Sequence, residues 1–293
     1  MKLIGVDIGG SHISAAEVRF QGRSAQISNF YEADVDTFGN KAAIISAWSE
    51  VIRKAVGESH DHKIGVAMPG PYDYENGISL IKDQGKMASL YQLPVKDLLA
   101  ENLGIQSEQL AFTNDAEAFL SGESYAGAGK EFQHSIGITL GTGLGSAIKV
   151  QDVVKDAKLW TAPFRDGIAE DYLGTAWFKR RALEKYTLEI SGVKELLEPD
   201  FDQEFASELF TEFGRALGEF LFPYLIRLHS EGVVLGGKIS LAGEHYLPTT
   251  KAYLETLGYP VPINISVLGE RAALIGACLP FLNPVDPHEI ESI

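Results

Sequence analysis

Twice along this chain an apolar run breaks into small residues and then resumes as a second apolar run. The first instance is Ile4-Gly5-Val6-Asp7-Ile8-Gly9-Gly10-Ser11-His12-Ile13, and the second is Ser135-Ile136-Gly137-Ile138-Thr139-Leu140-Gly141-Thr142-Gly143-Leu144-Gly145. The runs resume over Ile13–Val18 and Ser146–Val150. Each reads as strand, tight glycine turn, strand. Around them the pattern predicts strands at Leu3–Ile8, Ile13–Val18 and Ala25–Phe30, with Gly22-Arg23-Ser24 as a hairpin loop. A helix follows over Lys41–Val56, where Ile44, Ile45, Trp48, Val51, Ile52 and Val56 keep a 3.6-residue period and Gly57 stops it.

Ser59-His60-Asp61-His62-Lys63 reads as a polar loop, Ile64–Met68 as a strand ending at Pro69-Gly70-Pro71, Val95–Leu103 as a helix and Leu110–Thr113 as a short strand. Asp115 opens the next helix. This order restarts at Ser135, with longer helices inserted over Thr175–Lys185 and Glu204–His229. Pro223 is expected to kink the second of these. Val233-Val234-Leu235 is a strand ending in Gly236-Gly237, and Arg271–Leu282 is helical. The tail Asn283–Ile293 is expected to be poorly ordered. The repeat predicts two domains, 1–116 and 117–293, with helix 271–282 a candidate to return to the first.

A length of 293 residues and an apolar content of 45% allow two full cores. The net charge of −15 argues against sequence-independent nucleic-acid binding and against an anionic membrane surface. A phosphate ligand would then be held by backbone N–H groups, helix ends and a divalent cation. A single cysteine, Cys278, excludes a disulfide framework and a cysteine-rich zinc site. It is expected to be a small buried apolar residue. The start of the chain enters a strand directly and no run approaches the length of a membrane span. A cytoplasmic protein is the expectation.

The glycine turns carry the first chemistry. Without a Cβ, backbone N–H groups can close around an anion, and two such hairpins could grip one polyphosphate. Gly129-Lys130 does not make a P-loop, because Ser124 and Glu131 stand where that motif requires Gly and Ser or Thr. Asp115 is by its residues alone either a helix cap or a general base. Asp7 is by itself a turn former or a group near a cation.

Taken in order, these segments resemble the ROK family of sugar kinases, in the actin-like ATPase superfamily. Asp7-Ile8-Gly9-Gly10-Ser11-His12 is similar to the family's first phosphate loop and Gly65–Asp73 to its Pro-Gly-Pro loop. Asn114-Asp115-Ala116 is similar to the catalytic-base motif, and Thr139–Gly145 to the second phosphate loop. Val233–Gly237 resembles the nucleoside-side motif, and Leu268-Gly269 with Arg271–Ala277 the closing helix. The resemblance implies an α/β fold of two actin-like (ribonuclease H-like) domains facing an interdomain cleft. It further implies phosphorylation of a hexose or hexose derivative by ATP with Mg²⁺, and a homodimer. Asp115 would be the base, and Gly70, Asn114 and Glu170 would bind the sugar. Gly9, Gly10, Ser11, His12, Gly141, Thr142, Gly143, Gly236 and Gly237 would bind the nucleotide, with Asp7 near Mg²⁺ through water.

The chain departs from the family in one region. It lacks the Glu-x-Gly-His stretch and the cysteine-rich zinc loop, and no His or Cys occurs between Gly145 and Pro223. No structural zinc is expected there. Asp166 is a weaker candidate than Glu170 for the cleft, and Trp160 is expected to be a packed aromatic. Two other readings stand beside the kinase: a non-catalytic sugar or nucleotide sensor, and a sugar-responsive repressor. The second would require a DNA-binding segment ahead of Leu3.

Overall fold

The computed structural model describes residues 1–82 and 86–282, so the tail Asn283–Ile293 lies outside the described residues. The chain divides into two compact units, Met1–Ala126 with the segment from Glu270, and Gly127–Gly269.

In the first unit β1 (Lys2–Ile8), β2 (His12–Gln21) and β3 (Ser24–Asp34) form an antiparallel meander. Helix α1 (Lys41–Val56) crosses to β4 (His62–Met68), which pairs parallel with β1. Asn40 caps α1 by accepting from Ala43 N at 3.0 Å, and Gly57 ends it at φ 64°. The periodic face of α1 packs into the core, where Ile44, Trp48 and Ile52 are fully buried with Ile4, Val6 and Ile13. A short hairpin of β5 (Tyr72–Asp73) and β6 (Ile78–Ser79), then α2 (Val95–Leu103), leads to β7 (Leu110–Asn114). Strand β7 lies parallel to β4 and completes the order β3-β2-β1-β4-β7. Helix α3 (Asp115–Ala126) follows without a break. His62 does not belong to a polar loop: it opens β4, is buried, and its Nδ1 lies 3.0 Å from the Ser59 carbonyl.

The second unit repeats the plan. Strands β8 (His134–Leu140), β9 (Leu144–Val150) and β10 (Val153–Asp156) form the meander. A small hairpin of β11 (Pro163–Phe164) and β12 (Gly167–Ile168) comes next, followed by α4 (Thr175–Tyr186) and α5 (Gln203–Arg227). Strand β13 (Gly232–Gly236) pairs parallel with β8, α6 (Gly243–Thr256) follows, and β14 (Ile263–Ile265) pairs parallel with β13. The order β10-β9-β8-β13-β14 matches that of the first unit. Helix α5 runs as one element through Pro223. Helix α6 carries Pro248 and is polar at its start, which hides it from periodicity. It forms because Tyr246, Leu247 and Leu254 bury against the core, and Gly214 of α5 lets the Tyr246 carbonyl approach where a Cβ would overlap it.

Helix α7 (Arg271–Cys278) belongs to the first unit, and the helical stretch ends as a 3₁₀ turn over Leu279–Phe281. Four glycines explain its seat. A β-carbon at Gly5 would overlap the Leu274 carbonyl, and one at Gly65 the Ala277 carbonyl. Likewise Gly122 of α3 meets Ala272, and Gly276 meets Ala118 of α3. The α3–α7 pair therefore lies against β1 and β4 at backbone distance, and α3 stays whole within the first unit. The division falls after Ala126, not at 116. Cys278 is fully buried in this packing, and burial pushes its thiol far up.

Candidate active site

In the first unit the glycine turn joins β1 to β2. Gly9 N–H donates to the His12 carbonyl at 2.9 Å, closing the turn. The Thr37 hydroxyl donates to the Gly10 carbonyl at 2.6 Å, and Val35 N–H donates to the Ser11 carbonyl at 2.9 Å. The His12 ring covers Gly9, where a β-carbon would stand 2.8 Å from its Nδ1. Ser11 and His12 are exposed. The turn is thus a tied rim whose two glycines carry no Cβ of their own and lie beneath the side chains of His12 and Lys86.

Asp7, at the end of β1, is half-buried. Burial, followed by the charges of Asp115 and Glu270, pushes its carboxyl up from 3.8 to about 7. Three acidic groups therefore share one field beside the glycine turn, an environment that favours a nearby cation. Among the described residues no group of three or more His, Cys, Asp or Glu is gathered as a metal site. The chemistry fits Mg²⁺ held through its own waters and phosphate oxygens, because that ion keeps several waters.

Asn114 and Asp115 sit where β7 turns into α3. Asn114 Oδ1 accepts from Ala116 N at 2.9 Å and Glu117 N at 3.1 Å, so Asn114 is the helix cap. Asp115, half-buried, accepts from Ala116 N at 2.8 Å and stands at the positive end of α3, which favours the carboxylate. Asn114 Nδ2 donates to the Tyr74 hydroxyl at 3.1 Å, and that hydroxyl donates to the Met68 carbonyl at 3.0 Å. A β-carbon at Gly70 would lie 3.2 Å from the same hydroxyl. Tyr74 therefore ties the Pro69-Gly70-Pro71 turn to Asn114. Nothing local in the sequence marks Tyr74, Thr37 or Glu270, because Tyr74 is 40 residues from Asn114, Thr37 is 27 from Gly10, and Glu270 acts on Asp7 from the other end of the chain.

In the second unit the turn Gly141–Gly143 joins β8 to β9, with Gly141 N–H donating to the Gly143 carbonyl at 3.1 Å. Thr175, at the start of α4, donates both its N–H and its hydroxyl to the Gly141 carbonyl at 2.9 Å. Thr142 is exposed at the tip. Glu170 Oε2 accepts from Leu144 N at 2.9 Å and covers Gly143. Gly237 follows β13 at φ 80°, and a β-carbon there would overlap the Leu140 carbonyl. Only glycine allows both the backbone angle and the approach. Gly236, Gly237 and Gly141–Gly143 thus form one small-residue rim, and Cβ-free backbone of this kind fits a nucleotide's phosphates.

One expectation fails in the stretch 159–174. Trp160 is not packed: it lies in the 3₁₀ turn Leu159–Thr161 and remains 37% exposed. Asp166 is exposed, accepts a hydrogen bond from the Tyr172 hydroxyl, and Tyr172 and neighbouring arginines hold its carboxyl below the usual range.

Two glycine-turn meanders with matching strand order, each extended by two parallel strands, define the actin-like class of fold. A sequence model of the ROK family matches residues 3–159, and the chain belongs to that family. A glucokinase of Thermotoga maritima is 32% identical over 171 residues, covering 58% of this chain and 49% of that protein. The chain thus aligns with about half the length of that relative. A glucokinase of Halalkalibacterium halodurans is 24% identical over 317 residues, covering 93% and 92%. The crystal structure of a ROK family glucokinase from Streptomyces griseus, in complex with glucose and AMPPNP, superposes with a TM-score of 0.75. It is 22% identical, with 95% of this chain and 98% of that one covered, which establishes the shared fold. Among the described residues no helix is long and apolar enough to cross a membrane.

Proposed function

We propose that the protein transfers the γ-phosphoryl group of ATP to a hydroxyl of a hexose or hexose derivative. The observation that carries this reading is the junction of β7 and α3. Asn114 caps the helix by accepting from the Ala116 and Glu117 amides, and the Asp115 carboxylate beside it at the same helix end has the chemistry of a proton acceptor. Its charge is felt by Asp7 beside the first glycine turn.

In this reading Asp115 accepts the hydroxyl proton as the oxygen attacks phosphorus. Asn114, Gly70 and Glu170 orient the sugar, Glu170 through its second carboxylate oxygen. Nucleotide recognition falls to the backbone of Gly141–Gly143 with Thr142, and to Gly236 and Gly237. Gly9, Gly10, Ser11 and His12 contact its phosphates. Asp7 would hold Mg²⁺ through water, and that ion, when bound, neutralises charge on phosphate oxygens. Positioning makes up most of the catalysis in such transfers, so the changed stretch 159–174 bears on which sugar is taken more than on the reaction. Cytoplasmic residence and a homodimer belong to the same proposal. A coupled ADP-release assay across a panel of hexoses and N-acetylated hexosamines tests it. Sugar-dependent ADP release with at least one member is expected, and nucleotide binding without any turnover would refute the reading in favour of a sensor.

A further inference from the structure

The first glycine turn is roofed by a side chain that belongs to neither strand. Lys86 reaches across Gly10, where a β-carbon would stand 3.1 Å from its Cδ and 3.2 Å from its Nζ. The lysine is exposed, yet the backbone next to it is fastened to this turn. Met87, the following residue, is buried, with only 2% of its surface exposed, and adopts φ 58°, an uncommon conformation for a non-glycine residue. Its N–H donates to the Thr37 carbonyl at 2.7 Å, and the Thr37 hydroxyl donates to the Gly10 carbonyl at 2.6 Å. Thr37, itself 2% exposed, is thus a bridge with one end on the glycine turn and the other on the lysine's neighbour. Lys86 forms no salt bridge with a described residue.

We infer that Lys86 is a phosphate-positioning residue, its ammonium pairing with the terminal phosphates of a nucleoside triphosphate at the Gly9-Gly10 turn. This rests on the kinase reading above and adds a residue to it. The chain has a net charge of −15, and the field at this turn is set by Asp7, Asp115 and Glu270. A polyanion approaching three carboxylates needs a local counter-charge, and an ammonium placed over a Cβ-free turn can supply one while the backbone N–H groups bind the same oxygens. Gly10 serves two purposes here: it leaves space for the lysine's stem and leaves the turn open to the anion.

The test compares wild type, Lys86→Met and Lys86→Arg, measuring the Kd of ATP, of adenosine and of inorganic tripolyphosphate, together with KM and kcat for ATP. Removing one charge-assisted phosphate contact should weaken ATP and tripolyphosphate by about 10- to 100-fold in Lys86→Met. Adenosine binding should stay within about twofold and Lys86→Arg should recover most of the loss, since a merely structural role would not separate these ligands. Urea denaturation of each variant should match wild type, because the side chain is exposed. ATP affinity within about twofold of wild type in Lys86→Met, or an equal loss of adenosine binding, overturns the inference. The two readings fail separately. If wild type binds ATP but phosphorylates no sugar, the kinase reading falls while the affinity series still decides Lys86. If wild type turns over and Lys86→Met is unchanged, only the lysine's role falls.

Discussion

Replacing Asp7 by Asn should make the ligand-free protein more stable at neutral and alkaline pH while removing its activity. The carboxyl of Asp7 is raised from 3.8 to about 7 by burial and by the charges of Asp115 and Glu270. A folded-state pKa above the unfolded one means that the native state binds the proton more tightly. The stabilisation is therefore complete below about pH 3.8 and is lost as the pH rises through about 7. At 1.36 kcal/mol per pH unit the gap between those values corresponds to about 4 kcal/mol. Solvent screening at a half-buried group reduces this to about 2–4 kcal/mol. Asn keeps the shape and never carries the charge. The difference in unfolding free energy between Asp7→Asn and wild type should accordingly be near zero at about pH 4 and reach its full value by about pH 8.

Because two units can unfold separately, the readout must report on the first. Amide exchange of β1 and β4 does so, as does fluorescence from Trp48 with Trp160 and Trp177 replaced. Mg²⁺ with ADP should narrow the difference, since a cation beside Asp7 lowers its pKa. A difference that does not change with pH, or a variant less stable than wild type at about pH 8, would refute the shared-field account of this site.

Three further outcomes follow from named contacts. Asp115→Asn should lower kcat by about 10²- to 10⁴-fold while ATP affinity stays within a few-fold, and near-normal turnover would remove Asp115 from its role. Tyr74→Phe deletes the acceptor for Asn114 Nδ2 and the donor to the Met68 carbonyl. Sugar KM should rise by about 5- to 10-fold with ATP KM unchanged, as steady-state kinetics can show, consistent with about 1 kcal/mol for a neutral hydrogen bond. Gly65→Ala drives a β-carbon into the Ala277 carbonyl, so calorimetry should show a loss of at least about 1–3 kcal/mol, larger than the effect of the same change at Gly104, where nothing lies within 4 Å. Gly104 has φ 72° and carries its own backbone cost, so the comparison is a demanding one.

Much of the architecture was legible before any coordinates. The two strand–glycine–strand turns, the periodic face of α1 and the alternation of strand and helix are local properties: side-chain period and the absence of a Cβ act within a few residues. Helix α6 was not legible, because Pro248 and a polar first turn obscure a helix that exists only by burying Tyr246 and Leu254 on α5. Nor could the sequence assign the cap of α3 to Asn114, since the Ala116 amide meets an oxygen of both Asn114 and Asp115 and it is the Glu117 amide that the Asn114 oxygen also takes.

What the amino-acid order determined by itself was the repeat, the Cβ-poor glycine turns and the acidic residue at the start of α3. Tertiary structure alone decided which charges share a field. Asp7, Asp115 and Glu270 are far apart along the chain, and the repulsion that Asp115 and Glu270 exert on Asp7 arises only when β1, α3 and the start of α7 are packed together. The same holds for Lys86 over Gly10 and for Glu170 over Gly143. Coulomb energies and steric contacts depend on distance in space, and sequence separation carries no information about that distance until the fold closes.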